Sequence, residues 1–115
     1  MPETAAALER LTYAKAVNAA LDRALESFPE ALLFGEDIAI PGGVFGCTRG
    51  LREKHGERVF DTPISETGFL GAALGAAMVG RRPIVEVMWA EFTLVAFDQI
   101  VNQAPNVRYV SEGRL

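Results

Sequence analysis

Glu66 stands directly behind Asp61-Thr62-Pro63-Ile64-Ser65, a stretch that stops one predicted strand and caps the helix that follows. Two readings of this acid compete. A carboxylate in the first turn of a helix complements the helix dipole, a contribution of about 0.3–1 kcal/mol. Shielded by Ile64, Phe69 and Leu70, the same carboxyl would instead resist ionisation by up to about 4–7 kcal/mol, which exceeds the dipole effect. A shielded glutamate can hold a proton and share it with a ring nitrogen of a ligand. Glu36 and Asp37 follow a second predicted strand, and Glu91 lies beyond a third. Asp37, Asp61 and Glu91 could supply metal ligands by type, but no spacing specifies a metal, and none is assigned. His55, the only histidine, falls at a predicted helix end among Arg52, Glu53, Lys54 and Glu57. A cation suits the dipole there, and no nucleophile or carboxylate partner is placed with it for catalysis.

The elements that must position these acids follow from hydrophobic spacing. Tyr13, Val17, Leu21, Leu25 and Phe28 predict an amphipathic helix over Thr12–Phe28, with Pro29 beyond its end. Ala31–Gly35 is a continuous apolar run, as expected of a strand buried on both faces. Glu36–Phe45 carries Pro41, Gly42 and Gly43 and reads as a loop, followed by a short helix over Thr48–His55 closed by Gly56. Arg58–Asp61 is a second strand, Glu66 to about Val79 a helix stopped by Gly80, and Pro83–Met88 a third strand, apolar around Glu86. Phe92–Ala104 is a last helix with Leu94, Phe97, Val101 and Ala104 on one stripe. Such alternation implies an α/β fold, a parallel sheet with helices on both faces and right-handed crossovers. Ligands bind outside the carboxyl ends of such strands, which gathers Gly35–Asp37, Asp61–Glu66 and Met88–Phe92 on one rim.

Two helices carry residues that need a reason. Gly68, Gly71 and Gly75 share one face, and each interior glycine costs about 0.8–1.0 kcal/mol relative to alanine. Close backbone approach explains such a cost, either to the helix's own sheet or to a partner chain. The last helix bears Gln99, Asn102, Gln103 and Asn106, an amide face that is either an ordinary wet surface or part of an interface.

Composition narrows the function classes. The chain has 115 residues, enough for one domain with a modest core, and is 50% hydrophobic and 23% charged. Eleven Lys and Arg against fifteen Asp and Glu give a net charge of −4 with no basic run, which argues against nucleic acid as a partner. Cys47 is alone, so an internal disulfide and a cysteine metal site are excluded. The first ten residues lack the apolar core of a signal peptide, and the longest uncharged run, Gly68–Gly80, is too short to span a bilayer. Neither a dinucleotide fingerprint, a P-loop nor a nucleophile elbow is present. A compartment that keeps thiols reduced, the cytoplasm or an organelle matrix after targeting, is expected.

Four segments, in order, resemble a known family from about Tyr13 to Ser111. Leu33-Phe34-Gly35-Glu36-Asp37, Gly42-Gly43-Val44-Phe45, Asp61-Thr62-Pro63-Ile64-Ser65-Glu66 and Phe97-Asp98-Gln99-Ile100-Val101-Asn102-Gln103 look like the beta subunit of the thiamine-diphosphate-dependent 2-oxo acid dehydrogenase decarboxylating component, of pyruvate or branched-chain type. Glu66 followed by Gly71 and Gly75 also resembles the pyrimidine-domain pattern of thiamine enzymes. The resemblance implies a pyrimidine-domain fold, incomplete here, with residues 1–115 as its N-terminal part. It casts Glu66 as the glutamate that hydrogen-bonds the aminopyrimidine ring nitrogen and drives the imino tautomer. Phe92 matches the aromatic on the pyrimidine, Ile64 and Met88 further contacts, and Glu36 an acid near the same pocket.

The implied assembly is wider than the chain. Only the pyrimidine half of thiamine diphosphate would be bound here. Magnesium and the diphosphate would sit on an alpha subunit bearing a Gly-Asp-Gly motif that this sequence lacks, and the chain alone would be inactive. The expected partners are that alpha subunit, a second beta subunit in a heterotetramer of two of each, and a lipoyl-bearing acyltransferase that receives the acyl unit. The resemblance tilts the glycine and amide helices toward interface roles. Gly42–Phe45 with Cys47-Thr48 is similar to the branched-chain enzymes, and Asp61–Glu66 more to the pyruvate group. An acetoin-cleaving or transketolase-like enzyme, or a non-catalytic oligomerisation piece, are the alternatives. Pro105 departs from the family helix and should end or kink it near Ala104; Glu112 replaces a usual glycine. As a piece of a longer subunit, the chain alone would be marginally stable and prone to aggregate.

Overall fold

A computed structural model describes residues 10–115. Its centre is β1 (Ala31–Gly35), flanked by β2 (Val59–Asp61) on one edge and β3 (Arg82–Glu86) on the other, all parallel. β1 bonds through both edges and buries both faces, as its unbroken apolar run predicts. Leu33 and Ala31 pack with Leu25, Ile38, Leu51 and Val59 on one side. Phe34 packs with Phe69 and Ala73 on the other, its ring stacked on Phe60 at 4.9 Å. Helices therefore cover both faces: α1 (Tyr13–Ser27) and α2 (Leu51–His55) one, α3 (Glu66–Met78) the opposite. Among the described residues no helix is long and apolar enough to cross a membrane.

Helix ends obey local chemistry. Thr12 Oγ1 accepts from the Lys15 N–H and Ser65 Oγ from the Gly68 N–H, capping α1 and α3. α3 stops at Gly80, where φ is +85°: the Gly80 N–H donates to Ala77 O and the Arg81 N–H to Ala76 O, the paired bonds of a Schellman motif. α1's predicted stripe is only partly realised, since Leu25 is buried and Leu21 packs beside it but Tyr13 is exposed. α2 begins later than predicted because Gly50 has φ of +79°, incompatible with an α-helical turn, and Thr48 instead donates to Ile38 O at 2.7 Å. Arg58 lies in a tight turn over Gly56–Arg58 rather than in β2, its guanidinium donating to Leu25 O and Phe28 O. β3 starts one residue early and ends at Glu86, leaving Val87 and Met88 to the exit loop.

The predicted last helix differs most. A short 3-10 turn covers Ala90–Leu94, a π-helical stretch covers Gln99–Gln103, and α4 (Ala104–Val110) continues past Pro105. Proline has no N–H to donate to the carbonyl four residues back and clashes with it; the wider π turn relieves that clash, so the helix runs on. The expected stripe is not buried: Leu94, Phe97 and Val101 are exposed, and Ala96 is the residue that goes inside. Asn102 and Gln103 donate to the Asp98 carboxylate at 2.9 and 3.2 Å, so much of the amide face is bonded within its own helix.

On the side away from the strand ends, His55 does have a carboxylate partner, contrary to expectation. Arg58 can only donate, so His55 Nδ1 accepts from it at 3.3 Å, and the Nε2 proton is left for Asp22 Oδ1 at 2.6 Å. Lys54 joins Asp22 at 2.7 Å, and its hydrogen bond, with that of His55, holds the Asp22 carboxyl below the ordinary aspartate range. The histidine ties α1 to α2. Leu33→Ala, in the core between β1 and the α1–α2 face, is expected to destabilise the fold by about 2–5 kcal/mol. Tyr13→Ala should change stability by less than about 0.5 kcal/mol, and urea unfolding of the two variants checks the contrast.

Candidate active site

The three strands deliver their carboxyl ends to one rim. β1 leads into Glu36, β2 into Thr62 and, through a short loop, into Glu66, and β3 ends on Glu86 before Met88. Gly35 makes this convergence possible: a Cβ there would lie 2.7 Å from the Glu86 carbonyl oxygen, so a side chain would force β3 away. The Thr62 N–H donates to Gly35 O at 2.8 Å and draws the β2 exit to the same point.

Glu36 and Glu66 are both buried, each 8% exposed, although they come from segments thirty residues apart. No ion pair with a described residue neutralises either. Burial pushes the Glu36 carboxyl above the usual glutamate value, the Glu66 charge adds to the push, and Asp37 adds less. Glu36 Oε1 and Thr62 Oγ1 are buried without a hydrogen-bond partner. A carboxyl whose ionisation is discouraged by burial and by a neighbouring acid, with unpartnered polar atoms at the same rim, is the kind of arrangement that suits a hydrogen-bonding group.

The remaining predicted residues are less enclosed. Met88 is half-buried, while Ile64 is 85% exposed and Phe92 37%. Ile64 and Phe92 thus find no place in the chain's own core and present apolar surface at the rim. Asp61 is engaged structurally, accepting the Ala39 N–H at 2.8 Å. Among the described residues no three acids, histidines or cysteines gather as a metal site.

Glu86 was not anticipated as part of the site. It pairs in register with Gly35, which places its side chain on the α1–α2 face, opposite Glu36. There the Gly43 backbone lies over it: a Cβ on Gly43 would sit 3.3 Å from Glu86 Oε1 and 3.1 Å from Thr48 Oγ1. Burial raises its pKa. A charge interrupting an apolar strand was the available signal. Thr62 gave none beyond its place as a strand stop. Of the glycines in α3, Gly68 has the N-cap oxygen of Ser65 where a Cβ would lie and Gly71 has Gln99 beside it, while Gly75 faces open space.

Residues 9–110 match the family model of the transketolase pyrimidine binding domain. The chain belongs to that family. The chain is 43% identical over 112 residues to a 2-oxoisovalerate dehydrogenase subunit beta of Pseudomonas aeruginosa, covering 96% of this chain and 32% of that protein. It is 44% identical to an acetoin:2,6-dichlorophenolindophenol oxidoreductase subunit beta of Cupriavidus necator, covering 91% of this chain and 34% of the relative. A mitochondrial pyruvate dehydrogenase E1 component subunit beta of Rattus norvegicus is also 44% identical, covering 96% and 31%. The chain spans about a third of the length of these curated relatives. The relatives bear out the resemblance read from the strand-end motifs.

The raised carboxyl has a stability signature. The folded state keeps its proton on Glu36 above pH 4.5, where the unfolded chain has begun to release it, so this group lowers stability as pH rises from 4.5 to its folded value. Glu36→Gln removes that loss. The melting temperature of the variant minus that of the wild type should therefore grow from pH 4 to pH 7; a difference flat with pH would show that Glu36 is not held protonated.

Proposed function

We propose that this chain forms the pyrimidine-binding part of the beta subunit of a thiamine-diphosphate-dependent 2-oxo acid dehydrogenase, acting on pyruvate or a branched-chain 2-oxo acid. The observation that carries the proposal is the pair of buried carboxyls, Glu36 and Glu66, at the strand-end rim with no described cation between them. Such a pair suits a heteroaromatic ring that exchanges a proton, and the orphaned Glu36 Oε1 and Thr62 Oγ1 fit a ligand that supplies hydrogen bonds. Thiamine diphosphate supplies the carbon nucleophile that attacks the 2-oxo acid and the electron sink that accepts the pair left when carbon dioxide departs.

The chain's own contribution is position and proton control. Glu66 shares a proton with the pyrimidine ring nitrogen and so favours its imino tautomer. Glu36 lies at the same rim, and its burial and the Glu66 charge push its carboxyl above the usual glutamate range, which suits a place in a hydrogen-bonded proton network with Glu66. Phe92, Ile64 and Met88 offer the apolar contacts to the ring, and the exposure of Ile64 and Phe92 leaves them available for it. The diphosphate and its magnesium are held by an alpha subunit in a heterotetramer of two alpha and two beta subunits. The acyl unit passes to a lipoyl-bearing acyltransferase.

A second reading has a specific support, the relative named as an acetoin oxidoreductase beta subunit at 44% identity. There the same pyrimidine site would serve cleavage of acetoin. Turnover by the chain assembled with an alpha subunit, measured on pyruvate, 2-oxoisovalerate and acetoin, separates the two. In that assembly Glu66→Gln is expected to lower decarboxylation by about 10²–10⁴-fold, the scale of a lost positioned proton donor. Turnover equal to wild type would remove Glu66 from the mechanism.

A further inference from the structure

The segment from Met88 to Val95 carries two of the three apolar residues assigned above to the pyrimidine, yet it belongs to neither carboxylate-bearing element. None of Trp89–Val95 is buried, and the next anchored side chain is Ala96. Its place must come from tethers, and the structure shows one at each end. At the near end Trp89 meets Phe45 edge-on, with ring centroids 5.2 Å apart and planes at 75°. Phe45 rides on the loop that begins at Glu36. At the far end Thr67 Oγ1 donates to Val95 O at 2.7 Å, and Thr67 adjoins Glu66.

Phe92 sits between the tethers and is bonded to both. Its N–H donates to Trp89 O at 2.9 Å and its carbonyl accepts the Val95 N–H at 3.0 Å. A displacement at either end reaches Phe92 through one hydrogen bond. Each acid's own element thus holds one end of the segment that presents the aromatic ring. The Phe45–Trp89 pair is an odd investment for stability alone, because Phe45 is 54% and Trp89 43% exposed.

We infer that Phe45 and Thr67 are positioning residues of the pyrimidine site, fixing Phe92 against the two carboxyls through Trp89 and Val95. The inference rests on the pyrimidine-binding reading given under the proposed function, and the wild-type measurement keeps the two apart.

Trp89 is the chain's only tryptophan, so its fluorescence reports the near tether directly. Phe45→Ala, and Phe45→Leu as the variant that keeps apolar volume, should shift the emission of the chain to longer wavelength; Phe45→Tyr should not. Assembled with an alpha subunit, Phe45→Leu and Thr67→Val should bind thiamine diphosphate with magnesium about five- to tenfold more weakly by calorimetry, as expected for one lost aromatic or hydrogen-bonded contact. Phe45→Tyr should restore wild-type affinity. Turnover at saturating cofactor should change less than about twofold, because the loss lies in binding. An emission shift without loss of affinity would reduce the contact to packing and overturn the inference, as would an unchanged emission in Phe45→Leu. A wild-type assembly that binds no thiamine diphosphate would instead overturn the pyrimidine-binding reading itself.

Discussion

Strand β1 is hydrogen-bonded on both edges and covered on both faces, so the two flanking strands and the helices packed over them take their positions from it. Five residues carry this burden, and the last is a glycine. With no side chain at Gly35, the backbone of β3 closes to a distance that any Cβ would forbid. Closure brings the exits of three parallel strands together, and the acids that follow them inherit that proximity. The rim is therefore a consequence of how β1 ends. A side chain at residue 35 would wedge the strands apart before any functional group was touched.

Charge is distributed unequally over the two ends of the sheet. Away from the rim, Asp22 gathers Lys54 and His55, and Lys54 reaches Glu26 as well, so the acids there have donors. At the rim Glu36 and Glu86 have none among the described residues, and burial raises both. The same residue type is stabilised as an anion when a cation is supplied and discouraged from ionising when it is enclosed without one. The fold puts its satisfied electrostatics where α1 meets α2 and leaves its unsatisfied groups where strands end. Unsatisfied buried groups are costly in a structure that does nothing with them, which is why this end of the sheet is the place to expect a ligand.

Much of this was legible in the residues. β1 and α3 lie where their apolar runs and caps put them, because an uninterrupted buried strand and a Ser-capped, Gly-stopped helix leave few alternatives. Glu36 and Glu66 were identifiable from their places behind strands, but their burial was not, since it depends on packing between segments remote in sequence. α2 was over-extended because Gly50 reads equally as helix or as left-handed turn until Thr48 is seen bonded to Ile38. The last helix departs from its pattern. Its apolar stripe needs a core that this chain does not provide there, and Pro105, expected to end or kink the helix near Ala104, instead follows a π-helical stretch after which the helix runs on. Glu86 escaped notice because its neighbour over the carboxylate is backbone, Gly43, contributed by a loop with no periodicity to read.

That π turn changes how the surface beyond it is addressed. An α-helix advances about 100° per residue, so a turn holding one extra residue rotates all that follows by about that angle. Arg108, Tyr109 and Val110 consequently point in directions that counting heptads from Phe97 would give to their neighbours. In effect, the backbone stores the equivalent of a single-residue insertion within Gln99–Gln103, kept in place by the proline behind it. Any alignment of helical faces across this junction, by eye or by design, must carry an offset of one position, and substitutions chosen without it would land on the wrong side of the helix.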